Sequence, residues 1–140
     1  MEMTRRDIFA LGAGLAAVGL INLPAEADEG MVKEAIEKFA GGMPSAGGVE
    51  IGAPEIAENG NTVPIEVAAA GATSILILAA GNPNPGVATF NFGKLAGESR
   101  ASTRIRLART QDVVAVAKMS DGSTAMARRE VKVTIGGCGG

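Results

Sequence analysis

The spacing of apolar positions changes character twice along the chain. Residues 8–23 form a largely apolar run that takes in Gly12, Gly14 and Gly19. It is shorter than the roughly 20 residues that a membrane-spanning helix needs. From Val32 the rhythm becomes helical: Val32, Ala35, Ile36 and Phe39 recur at i, i+3, i+4 and i+7, one face of a helix. Asp28 stands where a cap belongs, and Gly41-Gly42 stops the helix. Glu34 and Lys38 make a favourable i, i+4 pair. A short amphipathic helix must lie against something, either this domain or a partner subunit, and the pattern fits both.

Beyond Gly42 the period falls to two. Val63, Ile65 and Val67 alternate with Pro64, Glu66 and Ala68, which reads as a strand. Pro64 has no N–H to donate, which places this strand at an edge. Residues 74–80 are continuously apolar and read as a buried strand, and Ala88, Phe90 and Phe92 alternate with Thr89 and Asn91. Thr103, Ile105 and Leu107 form an inward row against outward Arg104 and Arg106. Residues 113–119 are apolar on both faces, the mark of a central strand, and 123–135 continue with Val131, Val133 and Ile135 facing in. Asn59-Gly60-Asn61, Asn82-Pro83-Asn84-Pro85-Gly86 and Asp121-Gly122 each supply a positive or a preset φ where the chain reverses. About seven short strands with turns at such spacing predict an all-β fold, an antiparallel β-sandwich of immunoglobulin type with one short N-terminal helix.

The ends carry different signals. Arg5 and Arg6 stand just ahead of the apolar run, with Thr4 before the pair and Ile8-Phe9 close behind. Ala25 and Ala27 supply the small residues of a signal-peptidase site. An ordinary export leader also begins with basic residues, but this context favours the twin-arginine route and a periplasmic destination. No cysteine follows the run, which argues against a lipid anchor. The expected organisation is a signal peptide over 1–27, a soluble domain over 28–135 and a flexible tail over 136–140.

Composition narrows the chemistry. Two of the 13 basic and three of the 15 acidic residues precede Asp28, leaving a net charge of −1 beyond it. That is no footprint for nucleic acid or for an anionic membrane. Tryptophan, tyrosine and histidine are absent, removing stacking platforms, the commonest general base and the commonest metal ligand together. No phosphate loop or metal-ligand cluster stands out, so no metal and no cofactor are expected. Glu50, Glu55 and Glu58 are scattered and read as solvated, and Arg100, Arg104, Arg106 and Arg109 read as the wet face of a strand rather than an anion site.

The chain's single cysteine, Cys138, stands between Gly136-Gly137 and Gly139-Gly140. Glycine loses more conformational freedom on ordering than any other residue, so such a run resists a fixed shape. At full extension the thiol stands about 10 Å beyond Ile135. An unassisted thiol titrates near about 8.5, and glycines offer nothing to lower that value. Such a group suits a handle that other proteins load and unload. Burial as a small hydrophobe, or disulfide dimerisation of an exported structural module, are the other readings of a lone cysteine. A thiol enzyme with its own turnover lacks the activating neighbours it needs.

Together the tail Gly136-Gly137-Cys138-Gly139-Gly140, the stretch Pro54-Glu55-Ile56-Ala57-Glu58-Asn59-Gly60-Asn61, Asn82-Pro83-Asn84-Pro85 with Val87-Ala88-Thr89-Phe90, and Ser102-Thr103-Arg104-Ile105-Arg106-Leu107-Ala108 resemble the SoxY sulfur-carrier family of the thiosulfate-oxidising Sox system. Val113-Val114-Ala115-Val116-Ala117 and Val133-Thr134-Ile135 complete the likeness. Thr124-Ala125-Met126 departs from it where an aromatic residue is expected, and 71–74 is shorter than usual. The resemblance implies an immunoglobulin-like carrier, not an enzyme, that pairs with a SoxZ-like β-sandwich subunit as a heterodimer. Cys138 is then the covalent attachment point for thiosulfate. A c-type cytochrome loads it, a dimanganese hydrolase releases sulfate, and the remaining sulfur is oxidised further on the cysteine by a sulfane dehydrogenase or passed to another sulfur acceptor.

Overall fold

A computed structural model describes residues 26–136, with side chains from Glu29 onward. The expected leader with Arg5, Arg6 and Ala25 lies outside the described residues, as do Gly137, Cys138, Gly139 and Gly140. Helix α1 spans Glu26–Ala40. It begins before Asp28, so Asp28 sits inside the helix rather than capping it, and the expected boundary at 27 and 28 falls within its first turn. At the far end Gly41 takes φ +74 and its N–H donates to the Glu37 carbonyl at 2.8 Å, the left-handed stop that glycine tolerates best. Glu34 and Lys38 approach to 4.0 Å on the exposed face.

Nine strands follow among the described residues: β1 Ser45–Ala46, β2 Glu50–Gly52, β3 Ile56–Ala57, β4 Val63–Ala68, β5 Ala72–Ala79, β6 Gly86–Asn91, β7 Arg100–Ile105, β8 Gln111–Met119 and β9 Thr124–Val133. They form two open sheets. One has six strands in the order β1-β9-β8-β5-β6, with β3 also on β9, and the other runs β2-β4-β7. Most pairs are antiparallel, but β1 and β3 both run parallel to β9. The fold is therefore mostly β with one short helix, and it is not the purely antiparallel arrangement expected. Two-residue strands carry no alternation long enough to reveal such pairings.

The two sheets share one apolar core. Val63, Ile65 and Val67 of β4 and Ile105 of β7 meet Ile75 and Ile77 of β5, Val113, Ala115 and Ala117 of β8, and Val131 of β9. On the opposite face of the larger sheet, Val32 and Ile36 of α1 pack with Leu78, Val114 and Val116. The helix thus covers its own domain, and residues 75–79 of β5 and 113–117 of β8 are apolar without a break because each stretch is covered on both faces. Lys118 places its ammonium 4.5 Å from the centre of the Phe39 ring, a cation–π contact at the end of this layer.

Three expectations need correction. β4 is the middle strand of its sheet, not an edge. Pro64 is tolerated there because β2 is short: it pairs with 66–68 and stops opposite Glu66, leaving no ladder partner for Pro64 on that side. Ile135 does not face in but is 67% exposed. The Gly60 turn departs too: Gly122 has the expected positive φ, +87, but Gly60 does not, and no proline presets that turn. At the Asp121 turn, the Ser123 hydroxyl and backbone N–H donate to the carboxylate and hold its pKa below the ordinary value.

The small Ala125, where an aromatic residue is expected, sits 3.7 Å from where a Cβ on Gly48 would lie. Gly47 and Gly48, at φ +91 and +80, carry the chain past this point, and β1 lies alongside Ala125 and Met126. A bulkier side chain at 125 would push that strand away. Truncating the fully buried Leu78 to alanine should cost about 2–5 kcal/mol of unfolding free energy, whereas Leu95→Ala at a fully exposed position should change it by less than about 0.5 kcal/mol. Urea titration of both variants checks the helix-on-sheet layer.

Candidate functional site

The site is the root from which the cysteine-bearing tail leaves the sheets. β9 delivers the chain there and is bonded on both flanks. On one side the Lys132 N–H donates to the Glu55 carbonyl at 3.0 Å and the Thr134 N–H to Ala57 at 3.1 Å. Gly60 donates its N–H to the Ile135 carbonyl at 2.8 Å, while its own carbonyl accepts from the Leu107 N–H at 2.8 Å. The Thr134 hydroxyl adds a bond to the Glu58 carbonyl at 3.1 Å. On the other side the Val133 N–H donates to the Thr110 hydroxyl at 2.9 Å. The Asn59 carboxamide accepts from the Asn61 N–H at 3.0 Å, closing the turn that presents Gly60.

A buried pair of amides supports the loop beneath this root. Asn82 and Gln111 are the buried polar side chains among the described residues, 3% and 7% exposed. Asn82 Oδ1 accepts from the Ala108 N–H at 2.9 Å and from Gln111 Nε2 at 2.8 Å. Asn82 Nδ2 donates to the Arg106 carbonyl at 2.8 Å. Gln111 Nε2 also donates to the Arg109 carbonyl at 2.9 Å, and its Oε1 accepts from the Gly81 N–H at 2.8 Å. Burying an amide is costly unless its donors and acceptors are paired. Here every one of these bonds fixes the segment 106–111 or the turn at Gly81.

The site residues expected from sequence divide as follows. Gly136 is exposed and its backbone lies against the Ala108 carbonyl, where an added Cβ would overlap the oxygen. Gly137, Cys138, Gly139 and Gly140 continue from it outside the described residues. Arg106 and Arg109 flank Ala108 in sequence. Arg100 is not part of that group: the Glu66 carboxylate, with Glu98 at 3.4 Å, engages it, and attraction to Glu66 raises its pKa. Arg104 instead reaches the Thr62 hydroxyl at 3.5 Å. Among the described residues no group of three or more His, Cys, Asp or Glu gathers to hold a metal ion. A cleft near 700 Å³ lies at the other end of β4, around Ala69, Ala96 and Ser99, away from the tail root.

A family model described as sulfur oxidation protein SoxY matches residues 36–138, most of the chain and the cysteine with it. The chain belongs to the SoxY family. The structure of the sulfur carrier protein SoxY from Chlorobium limicola f thiosulfatophilum is 38% identical, at a TM-score of 0.65 over 76% of this chain and 99% of that one. More distant is the superoxide reductase (neelaredoxin) of Ignicoccus hospitalis, 19% identical with a TM-score of 0.54 over 62% of this chain and 80% of that one. A putative superoxide reductase from Thermotoga maritima is 17% identical with a TM-score of 0.51, covering 68% and 89%. These last two likenesses are of fold alone. No curated protein matches the chain by sequence.

Asn82, Ala108, Thr110 and Gln111 escape the sequence reading. Asn82 stands in a turn motif and reads as turn chemistry, and Gln111 looks like a polar lead-in to an apolar strand. The only available signal is a polar residue at the mouth of a doubly buried strand. Replacing Asn82 with alanine should cost about 1–3 kcal/mol and speed hydrogen exchange at the Ala108 amide, which loses its acceptor. Unchanged protection at Ala108 in amide-exchange measurements would contradict this placement.

Proposed function

We propose that this SoxY-family protein is a covalent sulfur carrier of thiosulfate oxidation, with Cys138 as the attachment point on a flexible arm of Gly136, Gly137, Gly139 and Gly140. One observation carries the reading: the chain shares a fold and 38% identity with a sulfur carrier protein, and the hydrogen-bonded root that follows β9 ends at Ile135, three positions before its single cysteine. A firm root with a slender extension suits a thiol that must enter clefts on other proteins while the domain is held outside. The two sheets on one core are read as an immunoglobulin-like sandwich.

The chemistry asked of Cys138 balances with two partners. Cysteine thiol and thiosulfate join as a cysteine S-thiosulfonate, releasing the thiol proton and giving two electrons to a c-type cytochrome. Water then cleaves the terminal sulfur–sulfur bond on a dimanganese hydrolase, releasing sulfate and two protons and leaving a persulfide anion on Cys138. That last sulfur either is oxidised in place, three waters supplying oxygen and a sulfane dehydrogenase accepting six electrons before a second hydrolysis frees it as sulfate, or passes as sulfane sulfur to another acceptor. Both routes return Cys138 as a thiolate. The carrier itself holds no cofactor and turns nothing over alone. Its partners include a SoxZ-like subunit in a heterodimer, and the pair works in the periplasm. Export follows the twin-arginine leader marked by Arg5 and Arg6, cleaved after the small residues Ala25 and Ala27.

The apolar face of α1 is spent on β5 and β8, so that face is not where a partner subunit sits. In a reconstituted system with these partners, Cys138→Ser should abolish thiosulfate-dependent electron delivery while leaving the melting temperature unchanged. Retained electron delivery would overturn the carrier reading. So would protein found wholly as a disulfide dimer on a non-reducing gel, with the serine variant deficient in assembly alone.

A further inference from the structure

Two described glycines would bring a Cβ within 3.0 Å of a neighbouring atom, and both touch the same loop. A Cβ on Gly81 would stand 2.8 Å from Gln111 Cβ and 3.2 Å from Arg109 Nε. A Cβ on Gly136 would overlap the Ala108 carbonyl oxygen. Most other described glycines have open space around that position, including Gly93 and Gly97. Close approach, rather than flexibility, is what position 136 demands of its residue.

The loop that receives both approaches is the one that the buried amides hold. Asn82 and Gln111 take the Ala108 N–H, the Arg106 carbonyl, the Arg109 carbonyl and the Gly81 N–H. Ala108 is thereby fixed by its N–H on the inner side and meets Gly136 with its carbonyl on the outer side. An apolar pair at 82 and 111 would fill the same space without orienting a backbone carbonyl at the exit point.

We propose that Gly136 is the fulcrum of the arm, and that Asn82 and Gln111 are positioning residues that set its direction by fixing Ala108. The proposal rests on the carrier reading above. Only Gly137 separates Gly136 from Cys138, so the thiol stands about 7 Å from the fulcrum at full extension. So short an arm does not average out an error at its base. A tilt there moves the sulfur by ångströms, and misplacement of about 1 Å can cost up to about 100-fold in a positioned reaction.

The test uses the full chain and three substitutions beside the parent: Gly136→Ala, Asn82→Ala and, as a control in open space, Gly93→Ala. Val114→Ala, in the helix layer away from the root, serves as a destabilised control. Loading of Cys138 with thiosulfate by the oxidising c-type cytochrome is followed by mass spectrometry, alongside alkylation by iodoacetamide and the melting temperature. Gly136→Ala should load on the order of tenfold more slowly or worse, with alkylation rate and melting temperature at parental values. Asn82→Ala, measured where it is folded, should share the loading defect and keep parental alkylation. Gly93→Ala and Val114→Ala should load at the parental rate. Parental loading in Gly136→Ala overturns the proposal, as does a Val114→Ala defect equal to that of Asn82→Ala. If the parent itself is never loaded, the carrier reading falls, and the fulcrum with it.

Discussion

Val133 gives its N–H to the Thr110 hydroxyl, while Thr134 and Ile135 are bonded to Ala57 and Gly60 on the opposite flank. A strand end caught on both sides in this way resists fraying, because several bonds must be given up to water before it is released. The stretch 54–61 contributes one flank and the segment 106–111 the other, so two distant parts of the chain converge on the same three residues. Where the tail begins is therefore a property of the whole sandwich. Without those bonds the last turn of β9 would be an ordinary exposed terminus.

The sheets make that convergence possible by being rigid on both faces. β5 and β8 bury one side against β4 and β7 and the other against α1, and dense packing of this kind transmits position rather than absorbing it. Gln111 begins β8, and Asn82 lies three residues past Ala79, the end of β5. The amide pair is consequently anchored to the two most deeply buried strands. Polar groups so placed are costly when half paired and rigidifying when fully paired. No buried side-chain polar atom is left without a partner among the described residues.

Much of this was legible in the chain. The helix face of Val32, Ala35, Ile36 and Phe39, the apolar run of β5 and the doubly apolar β8 follow directly from periodicity, since burial on two faces leaves no polar alternation. The outward row of Arg104 and Arg106 was legible for the converse reason. Pro64 misleads because backbone chemistry implies an edge only if the neighbouring strand extends to it, and β2 does not. The parallel partners β1 and β3 and the outward Ile135 depend on contacts between residues about 80 apart, which no local pattern encodes. Cys138 and its glycines point to a carrier from sequence alone, whereas the overlap that a Cβ at 136 would make with the Ala108 carbonyl follows from no local pattern. Asn82 and Gln111 were invisible as a pair because each alone looks like turn or surface chemistry.

A carrier differs from a structural module in what becomes bonded to its sulfur. The most direct measurement is the mass of the peptide containing Cys138, isolated without reductant from cells oxidising thiosulfate. The account predicts a population of that peptide carrying thiosulfonate and persulfide sulfur on Cys138, lost on treatment with reductant. Cys138 found only as free thiol, or only as a disulfide with another copy of the chain, would contradict it.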